Sequence, residues 1–287
     1  MRSQPSSILE PVMNDVLAKH KRVNLHVEDT GGDGRPVVLV HDWPLTLDQW
    51  KLQVPSLRSA GYRVISYDRR GFGRSEKPSE GYSYDETAAD LAALIVDMQL
   101  TNVSLVGFGM GAAEAARAEV LLGGEGIRRL MLVSTVTPFM LRSDTNPNGW
   151  LQSSEYVRML QALGDDRSAF FTSLMEDHHS VNGELKITLD QLEELVRMCE
   201  TSDQTAAMRC LESVCTTDHR SELAVVGASA TILHGTADEF APVQNAALGT
   251  RWAMKSGLVA LITGAPHGLN ISNADEFNEA LLRLLPE

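Results

Sequence analysis

Cysteine is scarce in this chain: Cys199, Cys210 and Cys215 are its three thiols among 287 residues. None stands in a CxxC pair or at metal-ligand spacing, and an odd number argues against a disulfide framework, so all three are expected to be reduced and structural. Long apolar runs are also missing. No stretch approaches the ~20 residues that cross a bilayer. The opening MRSQPSSILEPV has neither the apolar centre nor the small-residue cleavage site of a secretory signal, so a cytoplasmic location is expected. Positive charge is in deficit, with 25 Lys and Arg against 38 Asp and Glu. A net charge of −13 disfavours nucleic acid and anionic membrane as partners. The expected partner is a small-molecule substrate, and a homo-oligomer stays open. There is no internal repeat and no low-complexity tract.

What is present is an ordinary globular composition, 43% hydrophobic and 22% charged, in a chain long enough for one large domain or for a core carrying an inserted cap. Residues 22–28 alternate like a first strand, residues 36–41 (PVVLVH) form a short buried run, and a helical stretch over 47–59 precedes a strand at 63–68. Residues 85–98 place Leu91, Leu94, Ile95 and Met98 on one face of a helix. Residues 103–106 read as a buried strand, an alanine-rich helix runs to Leu122, and residues 129–134 read as another strand. Strands alternating with helices predict an α/β protein with a mostly parallel sheet flanked by helices. From 136 to 222 the pattern is helices only, with Pro138, Pro147 and Gly149 at its entrance. This predicts a helical cap over 136–222 inserted into a core domain of 1–135 and 223–287. The alternation returns at 230–234 and 258–263 and ends in a helix over 273–285.

Four segments carry the chemistry. Gly107-Phe108-Gly109-Met110-Gly111 joins a strand to a helix and has the outline of a nucleophile elbow, G-x-S-x-G, with glycine at its centre. His41-Asp42-Trp43-Pro44 follows a strand and matches the loop that supplies an oxyanion-hole N–H; Trp43 would give one donor and Met110 the second. His234-Gly235-Thr236-Ala237-Asp238 offers a carboxylate, and Gly264-Ala265-Pro266-His267-Gly268 offers an imidazole. Each site follows a strand, where open parallel sheets place their ligands, and the order elbow, acid, histidine fits one fold.

The passages HDWPLTLDQW, YDRRGFGRSEKP, TPFMLRSDTNPNG, ILHGTADEFAP and GAPHGL resemble the bacterial cofactor-free haloperoxidases and perhydrolases of the α/β-hydrolase superfamily. The resemblance runs from about residue 37 to the C-terminus and is weakest in the cap. It implies an α/β-hydrolase fold, a Ser–His–Asp triad, ester or perester chemistry on small acyl groups, and no cofactor. The chain departs from that pattern in two places. Gly109 stands where the nucleophilic serine belongs, so an acyl-enzyme cannot form there. Asp42 stands where relatives carry glycine beside the oxyanion hole. Its carboxylate either faces the site and accepts a proton or a substrate hydrogen bond, or tolerates an unusual backbone conformation and points to solvent; the second is the plainer expectation.

Other candidates weigh less. Asp177-His178-His179 suggests a metal, but adjacent histidines diverge and no third ligand is indicated, so a solvated face, no metal and no cofactor are expected. Tyr67-Asp68-Arg69-Arg70-Gly71 is expected to shape a structural loop. Met140, Trp150, Phe170 and Phe171 either line an apolar pocket or pack the cap on the core. Three functions fit these residues. The first is an enzyme that uses His267 and Asp238 for non-covalent general acid–base chemistry on a small, largely apolar substrate, with Gly109 leaving room for it. The second is a serine esterase or perhydrolase inactivated at its nucleophile, and the third is a non-catalytic binding protein.

Overall fold

The structure, a computed structural model, describes residues 20–285. The opening segment read above for a secretory signal lies outside them.

The strands begin with β1 (Val27–Asp29), β2 (Pro36–Val40), β3 (Arg63–Tyr67), β4 (Val103–Phe108) and β5 (Ile127–Val133). A two-stranded ribbon, β6 (Ser180–Val181) and β7 (Glu184–Leu185), lies apart, and β8 (Ser229–Gly235) and β9 (Leu258–Ile262) complete the main sheet. Its order is β1-β3-β2-β4-β5-β8-β9, with β1 antiparallel and every other pairing parallel. The helices are α1 (Val54–Ser59), α2 (Tyr84–Asp97), α3 (Met110–Leu121), α4 (Ser153–Asp165), α5 (Arg167–His178), α6 (Leu189–Glu200), α7 (Gln204–Thr216), α8 (Arg220–Leu223), α9 (Ala247–Ala253), α10 (Leu269–Ser272) and α11 (Ala274–Leu284).

The period of two along a strand divides the core. Val38 and Val40 of β2 face Leu91, Ala92, Ala112 and Ala116 of α2 and α3. Val37 and Leu39 of the same strand face Trp50, Leu57, Phe277 and Leu281 on the other side. Both faces of the sheet are therefore covered, which is why its strands read as continuous apolar runs. The α/β-hydrolase fold expected from the sequence is borne out.

Three expectations need correction. The first strand is only Val27–Asp29, because pairing with β3 is confined to those three residues. The helix over 47–59 is two pieces, a 3₁₀ turn at Leu47–Trp50 and α1. The break falls before Pro55, which has no N–H for a helix interior and sits in the first turn of α1. The segment between β5 and α8 is not helices only, since the β6–β7 ribbon interrupts it and a long irregular entrance precedes α4.

That segment packs on the C-terminal ends of the strands. Phe171, Leu174, Leu195 and Leu211 join Trp43 and Met110 in one apolar cluster, and the Trp43 indole N–H donates to the Ala207 carbonyl at 3.0 Å. Beneath it the loop after β3 is tied down by charge. Arg69 donates to Glu114 at 2.6 Å, the Tyr67 hydroxyl donates to the same carboxylate, and Arg70 pairs with Asp90 at 2.5 Å. The Asp68 carboxylate accepts from the Leu47 and Arg74 amides. Residues 67–71 thus have a structural explanation. Among the described residues no helix is long and apolar enough to cross a membrane.

Candidate functional site

β4 passes into α3 through Gly109, whose φ of 52° and ψ of −113° lie where an L side chain is strained. Its glycine neighbours answer to a different need, close approach of backbone. A Cβ on Gly107 would meet the Gly111 carbonyl oxygen at 2.1 Å, and one on Gly111 would meet that of Val40 at 2.4 Å. The small residues that read as a motif are thus the ones that let α3 descend onto the sheet.

The loop after β2 brings Asp42 to the same turn. Its amide donates to the Gln49 side chain at 2.8 Å, and its carboxylate turns inward, 4% exposed for the whole residue. Oδ1 accepts two backbone N–H groups at 2.8 Å, those of Trp43 and Met110. These are the two donors expected to form an oxyanion hole, and both are spent on Asp42. A Cβ built on Gly109 would lie 1.9 Å from this oxygen. Two expectations are therefore corrected: Asp42 does not point to solvent, and the space above Gly109 is filled by its carboxylate. The physical reason is that two convergent, buried N–H groups satisfy an anion better than they would satisfy nothing.

Asp42 Oδ2 faces His267, 3.4 Å from Nε2. On the other side of the ring, Nδ1 lies 2.8 Å from Asp238 Oδ2. Asp238 is itself fixed, with Oδ1 accepting the Ala241 amide at 2.7 Å and Oδ2 3.1 Å from His234 Nε2. The structure thus places Gly109, Met110, Trp43, Asp42, His267 and Asp238 together, all buried. Burial opposes the charged form of His267, but the carboxylates of Asp238 and Asp42 outweigh it and push its pKa up to about 10. Burial likewise opposes the charge on Asp238, and the facing imidazoles of His267 and His234 nevertheless hold it well below the usual carboxylate range. The ring lies between two carboxylates, Asp238 on its Nδ1 side and Asp42 on its Nε2 side.

His178 was not expected here. It ends α5 and is 2% exposed, with its ring centroid 4.4 Å from that of His267 and 4.4 Å from that of Phe240. The expected solvated face holds for Asp177 but fails for His178 and His179, because the end of α5 packs on the histidine loop, where the Gly268 amide donates to the His178 carbonyl at 2.7 Å. The two histidines do diverge, His179 turning its Nδ1 back to the Met175 carbonyl at 2.8 Å. Burial first, then the charge on His267, holds the His178 pKa well below its ordinary value. Neither His178 Nε2 nor His267 Nε2 has a hydrogen-bond partner. The only sequence signal was an unusual His-His pair.

A cavity of about 520 Å³ opens beside this centre, with Met140, Trp150, Phe170, Leu174 and Phe240 in its wall. Phe240 separates it from His267, the two rings 5.0 Å apart. Of the expected pocket residues, Met140, Trp150 and Phe170 line it, whereas Phe171 is fully buried in the apolar cluster and the buried Asp42 is not part of its lining.

Residues 37–280 match the profile of the alpha/beta hydrolase family. A Synechocystis sp. protein named as a non-heme chloroperoxidase is 36% identical over 92% of this chain and 95% of its own length. A non-heme chloroperoxidase of Kitasatospora aureofaciens is 31% identical over 88% and 93%. The crystal structure of a bromoperoxidase from Bacillus anthracis superposes with a TM-score of 0.90 at 35% identity, covering 94% of this chain and 98% of that one.

Proposed function

The chain belongs to the alpha/beta hydrolase family, an enzyme by its likeness to the non-heme haloperoxidases, and from that premise we propose that it works without a serine acyl-enzyme. Gly109 takes the nucleophile's place, and the reaction runs through Asp42 and His267. The observation that carries this reading is the Asp42 carboxylate itself, which holds both N–H donors with one oxygen and turns the other toward His267. A proton donor and a proton acceptor then stand side by side, with Asp238 fixing the ring so that Nε2 faces the site. Such a pair suits proton transfer, elimination or isomerisation of a small, largely apolar molecule admitted from the Met140–Trp150–Phe170 cavity past Phe240. Ester hydrolysis by acylation is disfavoured because no hydroxyl lies within hydrogen-bond reach of His267 Nε2 among the described residues.

The test is a screen of small ketones, esters and β-substituted carbonyl compounds in deuterium oxide, followed by NMR. Deuterium entering a substrate carbon, lost in His267→Ala by about 10²–10⁴-fold while binding persists, is the expected result. Intact-protein mass spectrometry during turnover should show no covalent adduct. An acyl adduct, or unchanged turnover in His267→Ala, would sink the reading.

A second reading is favoured by the likeness to chloroperoxidases, 36% identity over nearly the whole chain: a haloperoxidase- or perhydrolase-like protein disabled at its nucleophile. It differs from the first in requiring no function of Asp42.

A further inference from the structure

We propose that Asp42, His178 and His267 form a site for a divalent transition-metal ion that clamps the α5 end onto the core. One ligand atom from each residue lies within 4.8 Å of the other two, and all three residues are buried. On both histidines the Nε2 atom has no hydrogen-bond partner, a costly state for a buried ring nitrogen. Two of the three residues already have their outer contacts: Asp238 holds His267 Nδ1, the carboxylate–histidine arrangement that orients a metal-bound imidazole, and two amides hold Asp42 Oδ1 while Oδ2 turns toward His267.

The spacing suits the chemistry. Ligands about 2.0–2.1 Å from a tetrahedral Zn²⁺ stand roughly 3.3–3.4 Å from one another. Asp42 Oδ2 and His267 Nε2 are 3.4 Å apart. His178 is the ligand that must close in, and it sits at a helix end. Two imidazoles and one carboxylate make a donor set for Zn²⁺, Co²⁺ or Ni²⁺ rather than for Ca²⁺ or Mg²⁺. Three protein ligands leave a fourth position for water. Binding uses the lone pair of His267 Nε2, so any proton held there leaves to solvent as the metal arrives. That the metal thereby silences the Asp42–His267 pair rests on the function proposed above; the binding itself does not.

The test needs no substrate. Protein stripped with a chelator is titrated with Zn²⁺ by calorimetry and with Co²⁺ by visible absorption. One equivalent is expected to bind, with a rise in melting temperature, and His178→Ala should weaken binding by about 10–100-fold or more. Asp177→Asn, an exposed neighbour, should leave it unchanged. If His178→Ala does not fold, zinc-edge X-ray absorption of the parent replaces it, with two imidazoles in the first coordination sphere expected. No binding by the stripped protein, an affinity indifferent to His178, or a spectrum without imidazole would each overturn the proposal. Failure to find turnover would leave it standing, and failure to bind metal would leave the acid–base reading standing.

Discussion

The Asp42 carboxylate occupies the volume that a side chain on Gly109 would need: a Cβ there would stand 1.9 Å from Asp42 Oδ1 and 2.3 Å from its Cγ. The two positions are therefore coupled. A carboxylate from the loop after β2 and a hydroxyl on the β4–α3 turn are alternative occupants of one seat.

Restoring the hydroxyl alone should fail. Gly109→Ser adds a Cβ at a φ of 52° and forces the carboxylate off its two amide donors. Backbone strain of about 1–3 kcal/mol is expected before any clash is counted. The measurement is a fall in the urea midpoint of unfolding with no gain in hydrolysis of short p-nitrophenyl esters. A well-folded Gly109→Ser with brisk esterase activity would show that Asp42 yields easily and that the second reading is the better one.

Clearing the seat first should give a different result. Asp42→Gly combined with Gly109→Ser frees the Trp43 and Met110 amides for an oxyanion and puts a hydroxyl beneath His267. Each such donor is worth roughly 10²–10³ in rate. Ester hydrolysis by the double variant is expected at least about 10²-fold above either single variant. Additive or absent gains would show that the rest of the site has been remodelled as well.

Asp238→Asn tests how the ring is held. An amide facing His267 Nδ1 favours the other tautomer and removes one of the two anions that lift the ring's pKa. Once a substrate is known, kcat should fall by about 10²–10⁴-fold with KM little changed. Equal losses in kcat and KM affinity would instead place Asp238 in the binding of substrate.

Stability can be probed far from the centre, at Glu114. This fully buried carboxylate accepts from Arg69 at 2.6 Å and from the Tyr67 hydroxyl. Glu114→Ala strands the buried guanidinium and should cost about 3–5 kcal/mol, read from urea unfolding. A loss below ~1 kcal/mol would mean that Arg69 finds another partner, the His41 carbonyl it already donates to at 2.7 Å being the nearest.

The sequence by itself determined the sheet and the order of the site. Apolar runs of strand length, separated by amphipathic helices, could only be buried as a parallel sheet covered on both faces. Gly107, Gly109 and Gly111 marked the strand-to-helix turn because close backbone approach excludes a Cβ at the outer two. Asp238 and His267 could be named because each lies just past the end of a strand, a local property of the chain. Where a side chain turns, and what arrives from elsewhere, is not local. Asp42 has the same sequence neighbours whether it faces water or the site, and only the convergence of the Trp43 and Met110 amides, 67 positions apart in the chain, decides for the site. His178 is nearly ninety positions from His267, and only the seating of the α5 end on the histidine loop brings their rings to 4.4 Å. Short-range pattern fixes which elements form, whereas burial and pairing of charge are settled by tertiary contacts that no single stretch of sequence contains.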